Sequence, residues 1–416
     1  GTKKVHVVTD ESKLNKSGFY NFLWGKRYRS YFGVPVTAPI ADLNNLYKGL
    51  KIIKKGGEHQ SFSARLASKD GKEYAMRGLE KNALKFLKFK VPGITYTEEE
   101  YKNTLAETAV YDFFTTTHPY IQLVINPLAK EASLNHGGTK LFYLPKQPGF
   151  EILGDEYGDQ LYFIEERPND AQKEYEGYNR MNPGSGKIAQ FESSTDVVEK
   201  LKEDEKYSID QRAFIRARIF DMIIGDCDRH EHQWRWAQYE ISEEAIRFLP
   251  IPTDRDGAFS KFDGIVIPII KLFLPDTRYW QSYDEEIPDV KWFNGEGNNL
   301  DRRLINKFGT EAWIKEAQYI QENLSAAEID EAFKNLPTEV QDEASDDIKK
   351  KLKGRLSNID KIAESYGKYL NHTVAVHATN KDDIIKITRL GDGKTQVIIE
   401  RNLKNQDNKV FFDRVF

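Results

Sequence analysis

One cysteine in 416 residues, Cys227, rules out an intramolecular disulfide framework and any zinc cluster built on cysteine. No apolar run approaches the ~20 residues a bilayer-spanning helix needs, and no basic-then-apolar leader opens the chain. It begins Gly1-Thr2 rather than with Met, as a piece cut from a longer chain would. The missing leader therefore leaves the compartment open: a reducing cytosol and a cysteine-poor periplasmic protein both fit. Charge of one sign is lacking too. Lys and Arg number 61 against 65 Asp and Glu, leaving −4 at pH 7, whereas a dedicated nucleic-acid binder carries a basic excess. Internal repeats and low-complexity tracts are absent. Aromatics are plentiful: 21 Tyr and 24 Phe within a 39% hydrophobic composition supply a sizeable core and exclude general disorder. The length fits two to three domains, or one large domain with an accessory piece.

Residues 18–50, rich in aromatics, Gly and Pro, read as an extended arm laid over another surface. A strand from Leu50 runs into Gly56-Gly57, and an alternating run from Phe62 to Leu66 leaves it. The turn Lys69-Asp70-Gly71-Lys72 then leads into Glu73–Arg77, a strong hairpin signal. Thr97 before Glu98, Glu99 and Glu100 looks like a helix N-cap with an acidic first turn, the helix reaching Phe114 and stopping at His118-Pro119. Strands are expected over 140–144 and 160–165, and 170–205 reads as polar loop. Ala213, Phe214, Ala217, Phe220, Ile223 and Ile224 share one face of a helix over 209–224. Two short strands, 234–239 and 246–251, follow a loop. Residues 325–370 are charged and helical, broken by Pro337, and Val/Ile alternation from Thr373 marks a terminal β-rich module. The order predicts an α+β chain: an arm (1–49), a small N-terminal β lobe (50–168), a helical C-terminal lobe (169–370) and a β-rich extension (371–416).

The chemistry concentrates in two segments separated by a hairpin. The first is Gly225-Asp226-Cys227-Asp228-Arg229-His230-Glu231-His232-Gln233, and the second is Thr253-Asp254-Arg255-Asp256-Gly257-Ala258-Phe259. Phosphoryl transfer needs such an inventory. One carboxylate takes the acceptor hydroxyl's proton, while a second and an amide oxygen hold a divalent cation against the phosphates. Mg²⁺ keeps several waters and needs few protein oxygens, so Asp254 with Gln233 would suffice. The plain alternative is that these acids cap turns and pair with Arg229, Arg235 and Arg255. His230 and His232 are zinc-type ligands, but no third His or Cys stands at metal-site spacing.

Asp228-Arg229-His230 with Gln233, followed by Asp254 to Phe259, resembles the catalytic and metal-binding loops of atypical kinases: phosphoinositide kinases, HipA-type, CotH-type and secretory-pathway kinases. The resemblance implies a two-lobed kinase-like fold with Asp228, Arg229 and His230 catalytic. It also implies Gln233, Asp254 and Asp256 at the metal. Gln233 stands where the pattern has Asn. Gly56-Gly57 falls where a phosphate-covering loop belongs. Arg77, with Lys81 four residues on, takes the place of the phosphate-binding lysine. Glu107 matches the glutamate that pairs with that lysine, and Glu165-Glu166 falls at the hinge that meets a base. Arg and Lys are not interchangeable at such a site, so Arg77 argues for a degenerate or non-ATP-using cleft.

A closer resemblance rests on Thr117–Tyr120, Glu165–Pro168, Phe220–Trp236 and Pro250–Phe259. These segments are similar to a domain of large Bacteroidetes cell-envelope proteins, where Trp usually stands in place of Cys227. In them the domain lies between a calcineurin-like metallophosphoesterase and a surface-antigen-type outer-membrane barrel. No metallophosphoesterase motif occurs in this chain. The resemblance implies those neighbouring domains as partners, the terminal module as the approach to the barrel, and a location on the periplasmic side of the outer membrane. The expectation is a kinase-like domain binding ATP, another nucleotide or a phosphorylated ligand with Mg²⁺ or Mn²⁺ and passing a phosphoryl group to a hydroxyl. A pseudokinase scaffold is the alternative and a metal-dependent phosphate hydrolase the third reading; neither nucleic acid nor a transmembrane segment is expected.

Overall fold

The computed structural model describes residues 1–56, 61–81, 105–182, 184 and 186–416. The chain is α+β and two-lobed. Strand β1 (Thr2–Val5) pairs antiparallel with β2 (Val36–Pro39). Five strands then build the first lobe: β3 (Leu50–Lys55), β4 (Ser61–Ser68), β5 (Glu73–Lys81), β6 (Thr139–Leu144) and β7 (Gln160–Arg167), in the order β3-β4-β5-β7-β6. The Asp70-Gly71 turn joins β4 to β5 with Gly71 at φ 82°, a conformation glycine reaches without strain. Alternation along β5 sends Tyr74 and Met76 to one face, where they pack with Leu66, Tyr162 and Ile164 under Phe150, Leu153 and Tyr157. The opposite face carries Ala75, Arg77 and Leu79, with Phe163 and Glu165 beside them on β7. Leu79 and Phe163 join the main core, so Arg77 and Glu165 are set at the seam with the second lobe.

The second sheet has the order β8-β10-β11-β9, from β8 (Ile188–Ser193), β9 (Tyr207–Ile209), β10 (Trp234–Ser242) and β11 (Ala245–Pro252). In chain order the helices that matter are α1 (Gly18–Trp24), α2 (Leu105–Phe114), α3 (Gln122–Glu131), α4 (Ser194–Glu203), α5 (Gln211–Ile224), α6 (Val266–Phe273), α7 (Thr310–Asn323), α8 (Ala326–Phe333) and α9 (Glu343–Asn371). Helix α5 is buried along its length except at Arg212 and Arg216, between the sheet and helices α7 and α9. The Asp210 side chain caps its first turn and Gly225 (φ 73°) ends it. A three-stranded antiparallel sheet, β12 (Asp383–Arg389), β13 (Thr395–Arg401) and β14 (Lys409–Val415), closes the chain. It is tied down by Arg401 on Glu205.

Several expectations are corrected. Residues 18–50 are not an extended arm: they form α1, a 3-10 turn at Arg29–Gly33 and β2. Tyr28, Phe32, Val36 and Ala38 are buried in the main core, because aromatic and β-branched side chains gain most by leaving water. The stretch 170–205 is not a loop. It holds β8 and α4, started by a capping box of Ser193 with Asp196, a signal legible in the sequence. Helix α2 is described from Leu105, so Thr97, like Gly57, lies outside the described residues. Among the described residues no helix is long and apolar enough to cross a membrane.

Candidate functional site

The two acidic segments meet because β10 and β11 are one antiparallel hairpin, with Trp234 opposite Pro252. The loop before β10 (226–233) and the loop after β11 (253–259) therefore leave the sheet side by side. Arg229, buried at 1% exposure, staples them together. It donates to the Thr253 carbonyl (2.7 Å), the Asp254 carbonyl (3.1 Å), the Gln233 carbonyl (3.0 Å) and Gln233 Oε1 (3.1 Å). Its Nε reaches Asp221 of α5 at 3.3 Å. The Phe259 amide returns to the Ile224 carbonyl (2.8 Å), anchoring the second loop to the end of α5. Asp254 is held at φ 54°, the left-handed region that non-glycine residues rarely occupy; such strain persists where the surroundings fix it and is common at functional sites.

Five charged side chains gather where these loops face β5. Arg77 Nη1 donates to Asp254 Oδ1 at 2.6 Å, and its Nε lies 3.3 Å from Glu165 on β7. Lys81 stands 4.0 Å from Asp256. Burial pushes the Asp254 carboxyl up, but Arg77 above all, with Lys81 and Arg229, outweighs this and holds it below the ordinary carboxylate value. Asp256 is pushed up to about 6 by the neighbouring Asp254 charge and by burial. Arg77, flanked by these acids, is held firmly protonated. The exposed Asp228 lines a cavity together with Arg77, Lys81 and Asp256. An adjoining cavity of about 320 Å³ shares Arg77 and is bounded by Asp254, Glu165, Glu166, Pro168 and Trp234.

Below the cleft lies a buried charge cluster that sequence reasoning missed. Arg218 bonds Asp301 (2.9 Å), Asp221 (2.9 Å) and Asn294 (2.8 Å), and Tyr366 donates to Asp301 at 2.6 Å. Asp226 is buried with neither carboxyl oxygen hydrogen-bonded among the described residues. Its carboxyl is pushed up to about 8 by burial, against Arg229 at 3.6 Å and with help from Asp221, Asp256 and Asp228. The signal available was local: Arg218 and Asp221 stand three apart in the otherwise apolar second half of the helix, and charges there must be paired.

The remaining predicted residues fall as follows. Gln233 is buried with its side-chain oxygen taken by Arg229, so a role at a metal would require it to leave that bond. His230 is half-buried, its ring 5.8 Å from that of His232. Gly56 follows β3, and its amide donates to the Ser63 carbonyl at 2.7 Å; it borders a cavity with Arg77, Lys81, Asp254 and Asp256. Glu166 is half-buried and its carboxyl is raised, chiefly by burial. The expected pairing of Arg77 or Lys81 with Glu107 is corrected. Among the described residues the ion partners of these cations are Glu165, Asp254 and Asp256, on β7 and the second loop, and the half-buried Glu107 of α2, which has a contact of its own, is not among them. Sheet neighbours supplied the acids instead. Among the described residues no group of three or more His, Cys, Asp or Glu forms a ready metal centre. Asp254 and Asp256 nonetheless suit a cation that needs few protein oxygens, being half-buried acids beside the exposed Asp228.

No family model matches the sequence, and neither does any curated protein. Several solved structures are remotely similar, two of which follow. The proinflammatory kinase CtkA of Helicobacter pylori is 12% identical at a TM-score of 0.36, over 74% of this chain and 95% of that one. A chain of the Shewanella oneidensis MR-1 toxin–antitoxin complex of HipA, HipB and operator DNA is 12% identical at a TM-score of 0.32, over 83% of this chain and 78% of that one.

Proposed function

We propose that this cleft is that of an atypical kinase-like domain, which binds a nucleotide or other phosphate ligand with Mg²⁺ or Mn²⁺ and passes a phosphoryl group to a hydroxyl. The observation that carries the reading is the convergence of Asp228 and Asp256 with Arg77 and Lys81 around one cavity, with Asp254 bonded to Arg77 at 2.6 Å. The roles follow from exposure and charge. Arg77 and Lys81 present positive charge to phosphate oxygens. Asp228, exposed on a loop that Arg229 holds rigid, accepts the hydroxyl proton. Asp254 and Asp256 would hold the cation, which when bound neutralises phosphate charge. For that, Arg77 has to turn from Asp254 toward the phosphates. Glu165 remains its partner on the β7 side.

A panel of nucleotides with and without Mg²⁺ and Mn²⁺, read by thermal shift, tests the proposal. A ligand at 100 times its Kd stabilises the fold by ~2.7 kcal/mol, and Asp254→Ala should abolish the metal-dependent part. No shift with any nucleotide and metal would overturn the proposal. The Arg77–Asp254 contact favours a second reading, a catalytically inactive pseudokinase module. There Arg77 fills the cation's place permanently, and nucleotide, if bound, is bound without metal and without turnover.

A further inference from the structure

Arg77 borders the cavity at Gly56 and two further chambers. One runs to Glu165, Glu166 and Pro168; the other, about 340 Å³, has Asp228, Asp256 and Lys81 in its wall and aromatic rings on another side. Phe113, Phe262, Tyr279 and Trp280 line it, all half-buried. Their rings form one set: Phe113 lies 4.9 Å from Trp280, Phe262 stacks on Trp280 at 9° and 6.0 Å, and Tyr279 meets Trp280 edge-on at 6.0 Å. The wall is fixed at its base, where the Phe262 amide donates to Ser282 Oγ at 2.8 Å and the Tyr283 amide to the Ser260 carbonyl at 2.8 Å. Rings that pack on one another yet leave faces toward a cavity keep apolar area in water that a ligand would cover.

The same chamber carries hydroxyl and amide groups among the rings. Thr117 Oγ1 and Ser260 Oγ lie 3.3 Å apart, and the half-buried Gln122 makes no side-chain hydrogen bond among the described residues. Buried His118 is a further wall residue. Its Nδ1 accepts from the Tyr120 amide (3.2 Å), which puts the proton of the neutral ring on Nε2, a donor with no partner among the described residues. Apolar faces interleaved with several hydrogen-bonding groups match a ligand that has C–H faces and hydroxyl edges. A phenol offers one hydroxyl and an acyl chain offers none. A pyranose or cyclitol ring offers both surfaces.

We propose that the aromatic chamber is the acceptor subsite, and that the acceptor hydroxyl belongs to a sugar or cyclitol ring stacked on Trp280 and Phe262 beside Asp228. This rests on the phosphoryl-transfer reading. In the step, the ring hydroxyl oxygen bonds to the terminal phosphorus of a nucleoside triphosphate. The bond from that phosphorus to the bridging oxygen breaks, the diphosphate leaves with the electron pair, and the hydroxyl proton passes to the Asp228 carboxylate.

Saturation-transfer NMR on the full chain tests it with glucose, galactose, N-acetylglucosamine and myo-inositol, their oligosaccharide or glycoside forms, and a tyrosine peptide. At least one ring polyol should bind through its C–H face, free rings and chain ends being told apart by the two arms. Trp280→Ala should weaken that binding about tenfold, as the loss of an aromatic stack does, while the nucleotide thermal shift persists. Gln122→Ala, away from the packed rings, should weaken it as well, and serves if Trp280→Ala does not fold. If nucleotide binds but no ring polyol does, or the tyrosine peptide alone occupies the chamber, the inference falls and the phosphoryl-transfer reading stands. If ring polyols bind with Trp280 dependence but no nucleotide binds with any metal, the phosphoryl-transfer reading falls and the chamber is a carbohydrate site only.

Discussion

The cleft and the cluster beneath it are built from the same residue types, yet they differ in what each charge has for partners. Arg218, Asp221 and Asp301 are each at most 1% exposed. Every one of them is bonded to another member or to Asn294, Tyr366 or Arg229. Arg77, Lys81, Asp254 and Asp256 keep between 25% and 32% of their side chains in contact with solvent. A buried charge without its counter-charge carries a full desolvation cost, so the lower cluster is committed to structure. In the cleft, water or a ligand can replace either partner at small cost, so those ion pairs are exchangeable. Burial, more than residue type, separates the charges that hold the loops from those able to act on a ligand.

The largest expected effect falls on chemistry in the exposed set. Asp228→Asn removes the proposed proton acceptor but keeps shape and hydrogen bonding. Phosphoryl transfer, measured in single turnovers, should drop ~10²–10⁴-fold, with nucleotide affinity and urea midpoint unchanged. A fall in stability of several kcal/mol would place Asp228 with the structural cluster and break the contrast. Next comes Arg218→Ala, which leaves the buried Asp301 without a cation and Asp221 with Arg229 and Arg255 only. Urea unfolding should show a loss of ~3–5 kcal/mol. A loss under 1 kcal/mol would mean that the cluster is not what fixes α5 to the helices around it.

The reach of the sequence follows the same division. Helix α5, the β10–β11 hairpin and the acids of both loops were legible, because apolar periodicity and turn residues are local signals. The Gly71 turn gave the β4–β5 hairpin for the same reason. The pairing of β5 with β7 was not legible: those strands are separated by more than seventy positions. The partner of Arg77 went with it. Glu165 sits beside Arg77 only because Ala75 opposes Glu165 and Arg77 opposes Phe163 across that ladder. The aromatic chamber was invisible too, since Phe113 and Trp280 lie far apart in the chain and meet only in three dimensions.

Asp226 gives the third effect, between the two sets. It is buried like the lower cluster, yet both its oxygens lack hydrogen bonds among the described residues. Its carboxyl is raised to about 8, mainly by burial, with Arg229 opposing and Asp221, Asp256 and Asp228 adding to the rise. Against an unfolded value of ~3.9, the folded state holds a proton that the unfolded state has lost across this interval. Stability from this group is therefore full below about pH 4 and is lost as pH rises toward 8. Asp226→Asn should flatten that slope, and denaturation curves at pH 5 and pH 8 would show the variant gaining on the wild type as pH rises. An unchanged slope would show that Asp226 titrates normally.

The smallest effect should come from Arg77→Ala, and it bears most directly on the contrast. The substitution removes the 2.6 Å bond to Asp254 and the contact with Glu165. Both acids can turn to water, and ion pairs that solvent reaches are worth ~0–1 kcal/mol, so the urea midpoint of this half-buried pair's variant should move little near neutral pH. Asp254 is the group that feels the change. Arg77 is the main influence holding its carboxyl below the usual value, and a depressed carboxyl adds stability above its unfolded value of ~3.9 that is lost as pH falls through the folded one. The small difference between Arg77→Ala and wild type should accordingly vanish in acid. Phosphate-ligand affinity should fall much more than stability, since one of the two cations proposed to face the ligand is gone. If Arg77→Ala destabilises the fold as much as Arg218→Ala does, Arg77 is a structural brace, and the upper charges are no more exchangeable than the lower ones.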